Sequence, residues 1–328
     1  MNHKKIAELA HVSPSTVSKA LSGSGEISSE IVEKIQKIAI EAGYFKEKSK
    51  RKREYTNNKS IIIAVIVPEI ISVYYASLIH SIKAEVESRG GNVAVFISDF
   101  DKEKARELLR TIIIHGTADA VIIFGTPSAN DKFNIPILSV TGHPLEKYDT
   151  IIHNTERMMS EAVGFLRSLG HKKLGFAGEP LTRSKADAFR KALTDEEIEV
   201  CEEHIHTVDK RFDEVGIEAA RLILENDDRP TAIIAAYDEI GIALVHELQK
   251  NGVRVPDDIS VMGINNIATT SYAGIPLSTV EENFSDVCRE AIEHLFNKII
   301  NETHEIKHFP VEYSVIERES TAARTNKK

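Results

Sequence analysis

From residue 60 onward, short runs of β-branched and other apolar residues alternate with amphipathic stretches, and this alternation limits the fold more than any other feature. The runs are Ile61–Val67, Val93–Ile97, Ala120–Phe124, Ile135–Val140, Leu174–Ala177, Ala232–Ala236 and Ile259–Gly263. Stretches of helical period near 75–89, 102–114, 155–169, 184–193, 213–225 and 239–250 separate them. Runs this short that are apolar at successive positions suit strands covered on both faces. Helices between them make the sheet parallel, built from βαβ units. The strands are too many for one small sheet, and Asn154-Thr155 opens a fresh series. The economical expectation is two α/β lobes with a cleft between them. Open parallel sheets take ligands at the carboxyl ends of their strands, so facing lobes would make a closing pocket.

The first 45 residues follow a different rule. Ile6, Leu9 and Ala10 share a face of one helical pattern, Val17, Ala20 and Leu21 of a second, and Ile31, Ile35, Ile38, Ala39 and Ala42 of a third. Ser13-Pro14 is a start signal: a Ser hydroxyl can accept an orphan amide hydrogen, and Pro suits the first helical position. Ser22-Gly23-Ser24-Gly25 stops the second helix, Ser28-Ser29-Glu30 opens the third, and Gly43 closes it. Only Ala10-His11-Val12-Ser13 separates the first two helices, a turn short enough to force the steep crossing of a helix-turn-helix. The outward face of the second helix carries Ser15, Thr16, Ser18 and Lys19. Short hydroxyls near a helix start, with a cation one turn on, suit phosphate contact and base-edge readout in a major groove. They equally suit the polar surface of a small three-helix bundle.

Charge distribution separates the two regions. The whole chain carries −9, yet residues 1–60 hold 12 basic and 7 acidic side chains, leaving 29 basic and 43 acidic ones beyond. Only the basic head gains from releasing counterions off a phosphate backbone.

The segment from Lys5 to Ser22, read Lys5-Ile6-Ala7-Glu8-Leu9-Ala10-His11-Val12-Ser13-Pro14-Ser15-Thr16-Val17-Ser18-Lys19-Ala20-Leu21-Ser22, resembles the headpiece signature of the lactose-repressor (LacI/GalR) family, and Gly43-Tyr44 fits it too. The resemblance implies a DNA-binding headpiece over 1–45, a hinge over 46–59 and an effector-binding and dimerisation domain over 60–328. It places Ser13, Pro14, Ser15, Thr16, Ser18 and Lys19 against DNA. The family usually has Arg at Lys19, and Lys lacks the bidentate fork to guanine. The basic run Lys46–Arg53 reads by itself as a solvated linker; the resemblance implies a short hinge helix that wedges a Leu into the minor groove. Here the wedge position falls on Arg53, with Arg51 close by, and the expectation is a less sharply bent operator.

The body resembles the periplasmic-binding-protein-like sensor of the same family, through Ser168-Leu169-Gly170-His171, Arg229-Pro230-Thr231-Ala232, Val255-Pro256-Asp257-Asp258-Ile259-Ser260-Val261 and Glu317-Arg318-Glu319-Ser320-Thr321. It places Tyr74, Tyr75, Thr141, His153, Lys185, Tyr237 and Asn265 towards the effector, with Arg183 beside them. The segment after Gly178 is about four residues shorter than the family pattern. Family members commonly have Asp near Thr141, His153 and Asn265, and Arg at Lys185. Those departures make the expected site neutral to positive, suited to a sugar phosphate or sugar acid; a neutral sugar held by amides and tyrosines fits as well.

Other classes find less in the chain. Cys201-Glu202-Glu203-His204-Ile205-His206 lacks a second ligand cluster and reads as an exposed strand rather than a metal site, and most of the 13 histidines read as surface residues. No nucleotide-binding glycine loop or nucleophile elbow occurs, so neither an enzyme nor a cofactor is expected. Cys201 and Cys288 make no disulfide framework, no run approaches a membrane span, and the N-terminus lacks a secretory h-region; the expectation is cytoplasmic. The tail 322–328 shows no heptad repeat. The leading reading is a homodimeric regulator, in this family most often a repressor, of carbohydrate-related genes, binding a near-palindromic duplex operator under effector control. A catabolite-control regulator with a phosphoprotein corepressor, and more remotely a sugar-binding or sugar-processing protein, are the alternatives.

Overall fold

A computed structural model of the chain describes residues 2–22, 26–45, 60–127 and 133–324. Arg51, Arg53 and the rest of the basic linker lie outside the described residues, as does Gly23-Ser24-Gly25.

Three helices form the head: α1 (His3–Ala10), α2 (Pro14–Ser22) and α3 (Ser29–Glu41). Asn2 caps α1 by accepting the Lys5 amide at 3.0 Å, and His11, at φ 58°, ends it in the left-handed region. Ile6, Val17 and Ile35 are fully buried, joined by Ala7, Ala10, Ala20, Ala39 and Ile40. Leu9, expected inside, is 49% exposed. At about 100° per residue, Ala7 and Ala10 lie to one side of Ile6 and Leu9 to the other, so Ala7 takes the core place. Ile31 is also exposed, and Ile40 is buried beyond the expected face. Gly43, at φ 71°, turns the chain so that the Tyr44 hydroxyl reaches Nε2 of His3 at 2.8 Å, tying the end of α3 to the start of α1.

The chain as a whole, head included, falls into two compact units. The first comprises residues 1–153 and 285–310, the second 154–284 and 311–328, so the chain passes between them at three points. In the first unit β1 (Ile62–Val67), α4 (Val73–Ser88), β2 (Asn92–Ile97), α5 (Lys102–His115), β3 (Ala120–Phe124), β4 (Ile137–Thr141) and β5 (Asp149–Ile152) follow in order. The second unit has α6 (Thr155–Ser168), β6 (Leu174–Gly178), α7 (Arg183–Asp195), β7 (Ile205–Thr207), α8 (Asp213–Glu225), β8 (Ala232–Ala235), α9 (Asp238–Lys250), β9 (Ser260–Ile264) and β10 (Ser278–Glu282). Helix α10 (Phe284–Asn301) and β11 (His308–Pro310) return to the first unit, and β12 (Tyr313–Ile316) to the second.

The first sheet runs β11-β5-β4-β3-β1-β2 with every pairing parallel; the second runs β12-β10-β9-β8-β6-β7, with only β12 antiparallel. The seven expected runs are all strands or overlap one. Strands β5, β7, β10, β11 and β12, and helix α10, add to the pattern. In each sheet the first strand sits between the second and the third, so neighbouring crossovers leave on opposite faces and open a crevice at the carboxyl end, between β1 and β3 and again between β6 and β8.

Among the described residues three histidines, His171, His204 and His294, are buried. His204 is 1% exposed: of the segment expected as an exposed strand, Glu202–His204 form a 3₁₀ turn while Ile205 and His206 lie in β7, and the His204 Nε2 meets the Asp228 carbonyl at 2.6 Å. His171 reaches the Thr231 hydroxyl at 3.0 Å and the Ala322 carbonyl at 3.1 Å, pinning the C-terminal segment. His294 faces Asp149, a buried carboxylate that also takes Lys298 Nζ at 2.6 Å and the Lys307 amide at 2.9 Å. No group of metal-ligating side chains assembles among the described residues, and none of the described helices is long and apolar enough to cross a membrane.

Candidate functional site

The head presents its polar residues where the pattern expects them. Ser13 accepts the Thr16 amide at 3.1 Å, and its hydroxyl lies 2.7 Å from Ser15 Oγ and 2.8 Å from Thr16 Oγ1. This hydroxyl cluster caps α2 directly behind Pro14. Ser13, Pro14, Ser15, Ser18 and Lys19 are exposed and Thr16 is half-buried, while Val17 and Ala20 anchor the opposite face. Lys19 pairs with Glu26, so duplex phosphate or a base must compete with that carboxylate.

In the first unit the carboxyl edge of the sheet is aromatic. Ser72 caps α4 by accepting the Tyr74 amide at 3.2 Å, which sets Tyr74 and Tyr75 in the first turn after β1. Their rings pack edge to face at 5.2 Å; Tyr74 meets His153 at 6.5 Å, and Tyr75 meets Phe100 at 6.1 Å and Phe124 at 5.9 Å. The Tyr75–Phe124 contact spans the β1/β3 crevice. Phe100, which follows β2, and Phe124, which ends β3, are members that sequence reasoning missed; the strand ends were the available signal. Thr141 ends β4 half-buried, and its carbonyl accepts the His153 amide at 2.8 Å.

In the second unit the same edge is polar. Tyr237, after β8, donates to Glu179 Oε1 at 2.8 Å, across the β6/β8 crevice. Its oxygen accepts the Phe212 amide at 3.0 Å. Glu179 is 2% exposed, and its other oxygen meets Arg211 Nε at 3.0 Å. The Arg211 guanidinium stacks on Phe212, 4.6 Å from the ring centroid. Burial, assisted by the neighbouring Glu179 carboxylate, holds the Tyr237 phenol well above its usual range, so it stays a donor. Glu179, Arg211 and Phe212 were not anticipated from the sequence.

Lys185 is brought beside Tyr237's strand end but turned inward: its ammonium donates to the Ala236 carbonyl at 2.7 Å. Burial lowers its pKa, opposed by Glu282, Asp238 and Glu239. Asp238 is fully buried, accepts the Ile267 amide at 2.8 Å and the Thr279 hydroxyl at 2.6 Å, and burial pushes its carboxyl up to about 7. Asn265 directly follows β9 at φ 102°, and its Oδ1 is buried without a hydrogen-bond partner among the described residues. Arg183, the first residue of α7, is exposed. At this edge Lys185 stands among three carboxylates and Arg211 is matched by Glu179, so the cations of the second unit are locally balanced.

Comparison with known proteins supplies a frame for both sites. The profile of bacterial regulatory proteins of the lacI family matches residues 4–47, and that of the periplasmic binding protein-like domain matches residues 163–321. The chain is 26% identical over 331 residues to the ribose operon repressor of Haemophilus influenzae, covering 97% of each chain. It is 27% identical over 308 residues to the transcriptional repressor CytR of Escherichia coli K12, covering 90% of this chain and 89% of that one. Among solved structures, the lac repressor dimer bound to operator and an anti-inducer superposes with a TM-score of 0.71 at 21% identity, covering 98% of this chain and 99% of that one. A regulator CelR–cellobiose complex gives 0.68 at 21% identity with the same coverage.

Proposed function

The chain belongs to the lacI family of bacterial regulatory proteins, and from that premise we propose that it is a repressor whose hold on duplex operator DNA is set by a small, neutral, hydroxyl-rich effector. The head supplies the DNA contact. Exposed Ser13, Pro14, Ser15, Ser18 and Lys19 project from the capped start of α2, the part of a helix-turn-helix that meets base edges and phosphates. The lac repressor structure holds a dimer on operator, and a homodimer of this chain would match paired half-sites.

The observation that carries the effector class is the Glu179–Tyr237 hydrogen bond at the switch point of the second sheet, with Arg211 closing the carboxylate from its other side. An anionic effector meeting this edge would be repelled by the Glu179 carboxylate and by Glu282 near Lys185. A neutral one meets hydroxyl, guanidinium and amide groups already oriented at that edge.

The test has two stages. Selection of random duplexes on the purified protein should return a two-fold symmetric site, and Lys19→Ala should weaken binding to it and flatten its salt dependence by about one phosphate contact. Release from that site is then followed with D-ribose, cellobiose and ribose 5-phosphate. A neutral sugar should shift operator affinity more than the phosphate does. No enrichment of any duplex over random competitor at low salt overturns the repressor assignment; a response to the phosphate alone overturns the effector class.

A further inference from the structure

The turn after β9 is strained and held from several sides. Asn265 and Asn266 follow each other at φ 102° and φ 49°, in a region that side-chain-bearing residues rarely occupy. Such a conformation persists only where its surroundings over-determine it, and it concentrates at ligand-binding sites. The surroundings here are specific. Asn266 Oδ1 accepts from Arg318 Nη2 at 2.6 Å and from the Thr270 hydroxyl at 3.3 Å, and its Nδ2 donates to Glu281 at 2.9 Å. Its backbone amide reaches Thr279 Oγ1 at 3.3 Å. On either side, Asn265 N–H donates to the Val280 carbonyl at 2.8 Å and Ile267 N–H to Asp238 at 2.8 Å. Arg318 is itself fixed through Nη1 to the Leu277 carbonyl at 2.6 Å and through its amide to Ser278 Oγ at 2.8 Å.

All this order presents the buried Oδ1 of Asn265, which has no hydrogen-bond partner among the described residues. Buried acceptors are almost always paired, because an unpaired one has given up water for nothing. We propose that Arg318 and Asn266 form a positioning pair, which holds the strained turn so that Asn265 Oδ1 accepts a hydrogen bond from an O–H or N–H donor on the effector. Arg318 does not touch the effector. It acts through Asn266, and the preformed acceptor selects a donor over an anionic oxygen. The inference rests on the effector reading above and extends it to the group that sets the turn.

Arg318→Met, Asn266→Gly and the double variant, made in the full chain, test it. Glycine takes φ 49° without support, so Arg318 should matter less once residue 266 is glycine. Deuterium uptake at the 265–267 amides needs no ligand. R318M should speed it by about tenfold in the native background and by much less in the N266G background. Equal acceleration in both overturns the positioning pair, since Arg318 would then act through the Leu277 carbonyl alone. Calorimetric titration with D-ribose, cellobiose and ribose 5-phosphate reads the acceptor. Asn265→Ala and R318M should each weaken the binding of a neutral sugar by about tenfold. Unchanged affinity in N265A overturns the donor contact. If none of the three probes binds while uptake behaves as expected, the positioning pair stands and the effector class is what fails.

Discussion

The Tyr237 hydroxyl lies 2.8 Å from Glu179 Oε1 and 3.0 Å from the Phe212 amide, so one phenolic oxygen joins the ends of β6, β7 and β8. It donates to one partner and accepts from the other, which leaves no freedom in its orientation. The same contact bridges the second sheet's switch point and gives a hydrogen bond to a carboxylate that is almost wholly buried.

Removing that oxygen should be felt in stability. Tyr237→Phe strands a buried carboxylate lone pair and a backbone donor, each costing on the order of 1–3 kcal/mol when left unpaired. We expect a lower urea midpoint with an unchanged slope. A midpoint within error of the native protein means that water replaces the hydroxyl at both partners.

Asp238 gives stability a pH dependence with a definite sign. Its native pKa, about 7, lies above the value near 4 of an unfolded aspartate. Between these values the native state binds the extra proton, so the stabilisation is fully present below about pH 4 and is lost as pH rises through about 7. Asp238→Asn should remove a slope of up to about 1.4 kcal/mol per pH unit in that window. Denaturation of both proteins at intervals from pH 4 to 8 measures it; parallel curves refute it.

Gly263 leaves room for the same carboxylate. A Cβ there would run into Asp238 Oδ1 and the Leu277 side chain. Gly263→Ala should therefore cost about 1–3 kcal/mol through overpacking. It should also loosen the Ile267 amide, whose acceptor is the other Asp238 oxygen. Thermal unfolding together with exchange at Ile267 checks both, and a fully protected Ile267 amide in the variant argues against the coupling.

The head has few fully buried large side chains, so its caps weigh heavily. Burying a Val or Ile is worth about 1.5–3 kcal/mol, and Ile6, Val17 and Ile35 are the large fully buried ones here. Loss of the Ser13 cap by Ser13→Ala costs about 1 kcal/mol, a large share of what such a module retains. Amides 15–20 should exchange several-fold faster in the full chain, with the β1 and β9 amides unaffected. Uniform protection would show that Ser15 or Thr16 substitutes as the cap.

The elements that sequence reasoning located are those whose causes are local. Ser13-Pro14 and Gly43 mark helix boundaries by their own chemistry, and Val65 or Ile234 announce buried strands by apolar neighbours along the chain. Strand β10 escaped because Ser278 and Thr279 are polar; they are buried through Ser320, Thr321 and Asp238, some 40 residues away. Asp149 hid β5 for the same reason, its partners lying beyond residue 290. Tyr74, Tyr237 and Asn265 were placed at the site by the family resemblance, whereas nothing near Glu179 in the sequence announces its partners Tyr237 and Arg211, which lie 58 and 32 residues further along the chain. Lys185 kept its place and changed its meaning, since its charge is directed at a carbonyl and surrounded by acids.

The three passages of the chain between its units have a bearing on biosynthesis. When Asp149 leaves the ribosome, the lysine, histidine and amide that will enclose it are still untranslated, and the whole of 154–284 must emerge before they arrive. The first unit thus begins its sheet early and finishes it late, and a message cut short after residue 284 yields a half that carries an uncompensated anion where its outermost parallel strand should dock.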